Sequence, residues 1–194
     1  MRARRSRARV QRGHSDGKSD VFRRRMAVPL IIRDFQKSES VQVNALALRA
    51  FEQFRDVYLE WPQFQQRIGN MAALSDAGAI IVAEVAGKLV GAVAYIAPGV
   101  PKADYFRPEW PIMRMRVVDP DARGGGIGRT LAEECIRRAE RDGAKQFALH
   151  TSEIMAVALP MYLRMGFQRV SVAPPIHGVE YCVYLKTLGG EQTS

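Results

Sequence analysis

The segment Val118-Asp119-Pro120-Asp121-Ala122-Arg123-Gly124-Gly125-Gly126-Ile127-Gly128-Arg129 constrains this chain more than any other. The apolar run 112–118 before it reads as a strand. After it, Leu131, Cys135, Ile136 and Ala139 fall at helical spacing, and the helix ends at Gly143. A glycine-rich string acquires meaning only in that strand-to-helix setting. Without Cβ atoms the backbone amides of the turn can approach a pyrophosphate, and the helix N-terminus adds unpaired N–H groups and partial positive charge. Arg123 and Arg129 can contribute charge-assisted bonds to phosphate oxygens. No Gly-Lys-Ser/Thr follows, which excludes a P-loop. The turn also falls late, after an antiparallel hairpin, which excludes the opening turn of a dinucleotide-binding fold. A strand-to-helix turn with no ligand is the plain alternative.

The rest of the chain supplies the elements around it. Residues 30–35 read as a first strand. Ser38 or Ser40 can cap a helix whose apolar positions are Val43, Leu46, Ala47, Ala50, Phe51 and Phe54. A second helix is expected from about Pro62, then a hairpin of strands 79–85 and 89–96 joined around Gly87-Lys88. Pro98, Gly99 and Pro101 open a long loop that carries Tyr105, Phe106, Pro108 and Trp110. Beyond the glycine turn come a strand at 146–151, a helix at 153–165 closed by Gly166, and strands at 167–172 and 179–185. This order predicts a single α/β domain with a mixed sheet over residues 26–188, followed by a short tail at 189–194.

The formal charge of +9 suggests nucleic acid until it is divided along the chain. Residues 1–25 hold nine Arg and one Lys against two Asp, whereas the remainder holds 19 basic and 18 acidic residues. The leader is nearly devoid of apolar residues and is expected to be disordered. It reads as an arm for acidic surfaces, as a targeting peptide, or as an upstream extension of a chain that starts at Met26; these three stay open. The near-neutral remainder argues against a nucleic-acid-binding core. Two cysteines, Cys135 and Cys182, form no CxxC or Cys/His cluster, so neither a disulfide framework nor a metal site is expected. No apolar run reaches the roughly 20 residues of a membrane span, and the expected compartment is the cytoplasm.

With the downstream segment added, the chain resembles the GNAT superfamily of N-acetyltransferases. Arg123, Gly126 and Gly128 match that family's cofactor motif [RQ]-x-x-G-x-[GA], and Leu149-His150-Thr151 followed by Ala158, Tyr162, Gly166 and Phe167 match its later strand and helix. The resemblance extends over residues 30–185, with its specific motifs between 113 and 167. It implies a GNAT-like acyltransferase fold with acetyl-CoA as co-substrate and no metal. The phosphates would lie on Arg123, Gly124, Gly125, Gly126, Ile127, Gly128 and Arg129, and the pantetheine arm along the backbone of Arg116, Val117 and Val118. A backbone N–H of that strand would hold the oxyanion. Tyr162 would be the acid that protonates the departing thiolate.

For the base, the position where some family members carry Glu is Ile112, with Glu109 three residues away. His150 stands where other members carry a basic Glu, and an unperturbed imidazole near pKa ~6.5 suits the task. Glu153 or a water relay would also serve. Met155 replaces an Asn that often touches CoA. Arg114 and Arg116 alternate with apolar residues and are expected on one face of the strand; toward the cleft they would favour an acidic or carboxylate-bearing amine, and otherwise they would point outward or pair with the cofactor. Trp61, Tyr105, Phe106 and Trp110 are candidates for an aromatic acceptor wall or for packing. The reading is acetyl transfer from acetyl-CoA to a primary amine of a small molecule or peptide, with no membrane partner and a homodimer admitted. Its rivals are a CoA-sensing module without catalysis and a nucleic-acid-associated protein that uses the basic leader.

Overall fold

Two residues in the left-handed region, Ala86 (φ 53°) and Gly87 (φ 74°), close the first hairpin, a two-residue turn whose twist matches that of the paired strands. In the computed structural model, which describes residues 29–189, this turn joins β2 (Ala79–Val85) to β3 (Lys88–Ile96), so Lys88 belongs to the strand rather than the turn. β1 (Ile31–Asp34) pairs with β2, and β4 (Ile112–Val118) with β3, all antiparallel. β5 (Gln146–Thr151) runs parallel to β4. β6 (Gln168–Ile176) and β7 (Val179–Thr187) complete a seven-stranded mixed sheet in the order β1-β2-β3-β4-β5-β7-β6. The expected leader at 1–25, and the expected tail beyond residue 189, lie outside the described residues.

Helices cover both faces. α1 (Ser40–Phe51) buries Val43, Leu46, Ala47 and Ala50 against Val82, Leu89, Ala92 and Val117. On the opposite face α3 (Ile127–Arg141) sets Leu131, Ala132, Cys135 and Ala139 against Ile81, Val93, Phe147 and Leu149, and α4 (Ala158–Arg164) adds Tyr162 to the same cluster. Burying a Leu or Ile side chain in this way contributes about 1.5–3 kcal/mol. α2 (Trp61–Ile68), with Pro62 in its first turn, covers β5 and β7 beside α1 through Trp61, Phe64 and Ile68.

Three expectations change. Neither Ser38 nor Ser40 caps α1. A single 3₁₀ turn, Lys37–Glu39, precedes the helix; the Glu39 carboxylate accepts from the Gln36 N–H (2.9 Å) and pairs with Arg33 (2.6 Å), while Ser40 Oγ donates back to the Lys37 carbonyl (2.7 Å). The helix expected from residue 153 starts only at Ala158. Pro160 explains this: in a helix begun at 153 its ring would clash with the carbonyl four residues back and remove an interior hydrogen bond, whereas in the first turn of α4 its missing N–H costs nothing. Strand β6 runs on through Pro174 and Pro175, which an edge strand tolerates, and its register shifts between Ala173 and Ile176.

Candidate active site

β4 carries one more residue than its partner. Ala92 faces Val117 but Ala94 faces Arg114, and the extra residue is taken up at Met115, whose φ is 51°. Such a bulge bends and twists a strand and inverts its alternation. Arg114 and Arg116 therefore do not share a face, contrary to the expectation from their spacing. Arg116 turns toward α4, where its Nε donates to Tyr162 Oη at 2.6 Å and its guanidinium carbon stands 5.1 Å from the ring centre. Arg114 turns the other way, beside His150 and Arg67, in a pocket that Arg116 also lines.

The bulge also marks where the sheet divides. β4 and β5 pair only at Ile112 with Ala148 and at Met113 with Leu149; beyond that β5 stays with β7 as far as Thr151 opposite Cys182. Between the separated strands lies a groove of about 450 Å³. Val117, Val118 and the glycine turn form one wall, and Ile154 to Ala158 with Met161 form the other. At its end Phe51 and Phe54 close in from the region of α1.

The turn itself is pinned from below. The Asp119 carboxylate, 2% exposed, accepts from the Asp121 N–H (3.1 Å) and pairs with Arg49 (2.9 Å) and Lys88 (3.4 Å). Burial opposes its charge, but that N–H and the two cations outweigh it and hold its pKa below the usual carboxylate value. Gly126 precedes α3 with φ 78°, which a side chain would strain. The first N–H groups of α3 have no intrahelical acceptor and lie at the groove, an arrangement suited to an anion. At Gly128 a Cβ would stand 1.9 Å from Arg116 Nη1, so the missing side chain makes room for that guanidinium. The two other arginines of the motif are engaged within the protein. Arg123 donates to the Ala50 carbonyl (3.0 Å) and to Gln53 Oε1 (3.1 Å), tying the turn to the end of α1, and Arg129 pairs with Glu133 along α3 (2.7 Å).

A second pocket, of about 100 Å³, adjoins the groove and shares Phe51, Arg116, Met155 and Ala158 with it. Tyr162, His150, Tyr181, Arg67 and Arg114 line it. His150 is enclosed by Tyr105, Phe106 and Tyr181 at ring distances of 5.7, 5.8 and 5.2 Å, and its Nδ1 shares a 2.9 Å hydrogen bond with the Tyr105 hydroxyl. Burial, and then the charges of Arg114 and Arg67, push the imidazole down to about 4, so it is neutral at neutral pH. The Tyr181 hydroxyl is hydrogen-bonded to that of Tyr58.

The structure brings Tyr162 and His150 into one pocket, and Arg116, Val117, Val118, Arg123, Gly124, Gly126, Ile127, Gly128 and Arg129 along one groove, whereas Gly125 is not among the residues lining it. The sequence reading missed Arg67, Tyr58 and Tyr181, which come from α2, the segment before it and β7; no local motif marks them. Of the aromatic candidates, Tyr105 and Phe106 do meet His150. Trp61 packs on Phe64, and Trp110 donates to Gln146, so both are framework. Glu109 is exposed beside Arg107, away from the pocket, and Ile112 is core. Among the described residues no group of three or more His, Cys, Asp or Glu could hold a metal ion, and no helix is long and apolar enough to cross a membrane.

The frame of the site is a mixed sheet that splits beside a strand, a glycine turn and a helix. The family model "Acetyltransferase (GNAT) family" matches residues 41–167, more than half of the chain, and the chain belongs to that family. An uncharacterised N-acetyltransferase of Methanocaldococcus jannaschii is 27% identical over 141 residues, 73% of this chain and 62% of that protein. A mycothiol acetyltransferase of Saccharomonospora viridis is 38% identical over 53 residues, 27% of this chain and only 17% of that protein. The Salmonella typhimurium protein yncA, solved with its cofactor acetyl-CoA, shares the fold with a TM-score of 0.60 at 17% identity, over 85% of this chain and 96% of that one.

Proposed function

We propose that this chain transfers an acetyl group from acetyl-CoA to the nitrogen of a primary amine of a small molecule or peptide. The observation that carries the reading is the continuity of the groove with the pocket: the glycine turn lines the groove, the Tyr162 hydroxyl lines the pocket, and Arg116, which holds that hydroxyl, lines both. The amides around Gly124 to Gly128 and the first turn of α3 would take the phosphates, with Arg129 near enough to contribute once released from Glu133. Arg123 would stiffen the turn. The pantetheine arm would follow β4 beyond Met113, where that edge has no β5 partner, along Arg116, Val117 and Val118.

The chain's own groups suffice for the reaction. The amine nitrogen attacks the thioester carbonyl, and a backbone N–H of the unpaired β4 edge holds the oxyanion. The ammonium proton passes to His150, directly or through water. As the C–S bond breaks, the thiolate takes the Tyr162 proton, and the Arg116 guanidinium faces the phenolate that remains. An imidazole pushed down to about 4 is a weak base, so His150 would act as a transient acceptor while the incoming amine is desolvated.

Thiol release from acetyl-CoA across a panel of amines tests the reading, with Tyr162→Phe as the deciding variant. The hydroxyl goes and the ring stays, so acetyl-CoA affinity should hold while single-turnover acetyl transfer falls about 10²-fold or more. Equal single-turnover rates in the two proteins would move the proton to water and leave Tyr162 a packing residue. No thiol release with any amine, despite acetyl-CoA binding, would favour the sensing module.

A further inference from the structure

We infer that the acceptor amine carries a carboxylate, which Arg67 and Arg114 hold in the small pocket beyond Arg116. The inference rests on the acetyl-transfer reading and narrows its substrate. Three arginines, Arg67, Arg114 and Arg116, line this pocket, and no Asp or Glu does. Arg116 spends its Nε–H on the Tyr162 hydroxyl at 2.6 Å. Among the described residues neither Arg67 nor Arg114 has a carboxylate within 4.0 Å or a side-chain hydrogen bond, whereas Arg33, Arg49, Arg129, Arg137 and Arg138 each find a carboxylate and Arg123, without one, donates to Ala50 and Gln53. Arg114 is half-buried, where a guanidinium without a counter-ion is costly to keep. Burial and then the charge of Arg67 weaken its hold on its proton, consistent with a site built for an anion that is not part of the chain.

The surroundings fit a carboxylate in particular. A guanidinium presents paired N–H donors in a fork that matches a carboxylate's two oxygens. Arg114 lies on the inner side of the pocket and Arg67 on its exposed rim, so one carboxylate placed between them would be reached from solvent. At about 10–15 Å³ per water, the pocket's 100 Å³ holds on the order of ten small groups, the size of a small amino acid. An anion seated there leaves the amine of an amino acid directed at the junction where Tyr162 and Arg116 stand.

The test uses the full chain with acetyl-CoA and three sets of amines: free L-amino acids, their primary amides, and polyamines without a carboxylate. Two readouts run together, thiol release and the NMR resonances of the His150 imidazole, assigned by their loss in His150→Asn. Expected is a kcat/KM for an acid at least about 10-fold above that for its own amide, the usual effect of one charge-assisted contact. That ratio should fall toward one in Arg114→Gln. Arg67→Gln, at the exposed rim, should lower it too, and remains informative if the half-buried substitution does not fold. Equal use of acids and amides, or turnover of polyamines alone, overturns the inference and leaves acetyl transfer standing. If no amine releases thiol, acetyl transfer fails and the imidazole decides: resonances moved by the acids and not by their amides uphold the anion site, and resonances moved by neither remove it.

Discussion

His150 sits in a shell of aromatic rings and arginines with no carboxylate among its described neighbours, so its environment penalises the imidazolium twice. The consequence is a stability that depends on pH. In the unfolded chain the imidazole titrates near 6.5, and in the fold near 4. Between those values the unfolded state binds more protons, so stability rises with pH across the window and is lost as the pH falls through it. By pH 5 the loss from this group is about 2 kcal/mol. Denaturant midpoints at pH 7 and pH 5 for the wild type and for His150→Asn isolate it. The wild type should lose more on acidification than the variant, and equal losses would show that the imidazole is open to water. The sequence alone placed His150 at the end of the strand that follows the helix after the glycine turn. Its low basicity was not legible there, because the groups that set it come from α2, from β4 and the loop before it, and from β7.

At the scale of elements, the bulge in β4 organises the site. It sends Arg114 one way and Arg116 the other, and it coincides with the end of the pairing between β4 and β5. Spacing read from a regular pleat put both arginines on one face, and nothing in Met113-Arg114-Met115 announced otherwise, since the left-handed residue is a Met and not a Gly. The glycine turn and the start of α3 were legible because their chemistry is local; the late start of α4 was legible too, from Pro160, but only if its ring is weighed against the helical pattern around it. The contact between the two elements gives a separable prediction. In Gly128→Ala the new Cβ would meet Arg116 Nη1 at 1.9 Å, and that flexible end would swing away from Tyr162. Alanine is the better helix former by about 1 kcal/mol, so the melting temperature should hold or rise. Single-turnover transfer at saturating acetyl-CoA should fall about 10-fold as Tyr162 loses its guanidinium partner. A lower melting temperature with an unchanged rate would show that Gly128 matters for packing alone.

Across the whole molecule the sheet is two antiparallel sets, β1 to β4 and β5 to β7, joined by two register pairs and otherwise separated by the groove. Their coverings differ in part: α1 packs on the first set and α2 with the aromatic loop on the second, while α3 lies across both, against Ile81 and Val93 and against Phe147 and Leu149. A ligand lying along the seam would touch both, substituting for the strand pairing that the divergence removes. Acetyl-CoA should therefore act as a clamp between the sets. At 100-fold above its Kd, binding confined to the folded state adds about 2.7 kcal/mol, which for a domain of this size corresponds to roughly 5–10 °C in melting temperature. Hydrogen exchange separates this from stabilisation of one set alone. Slowing is expected on both sides of the seam, at residues 114–118 and 124–129 on one and at 152–157 on the other. Protection confined to the glycine turn, with the same thermal shift, would mean that the cofactor is held by its phosphates only and that the seam is not bridged.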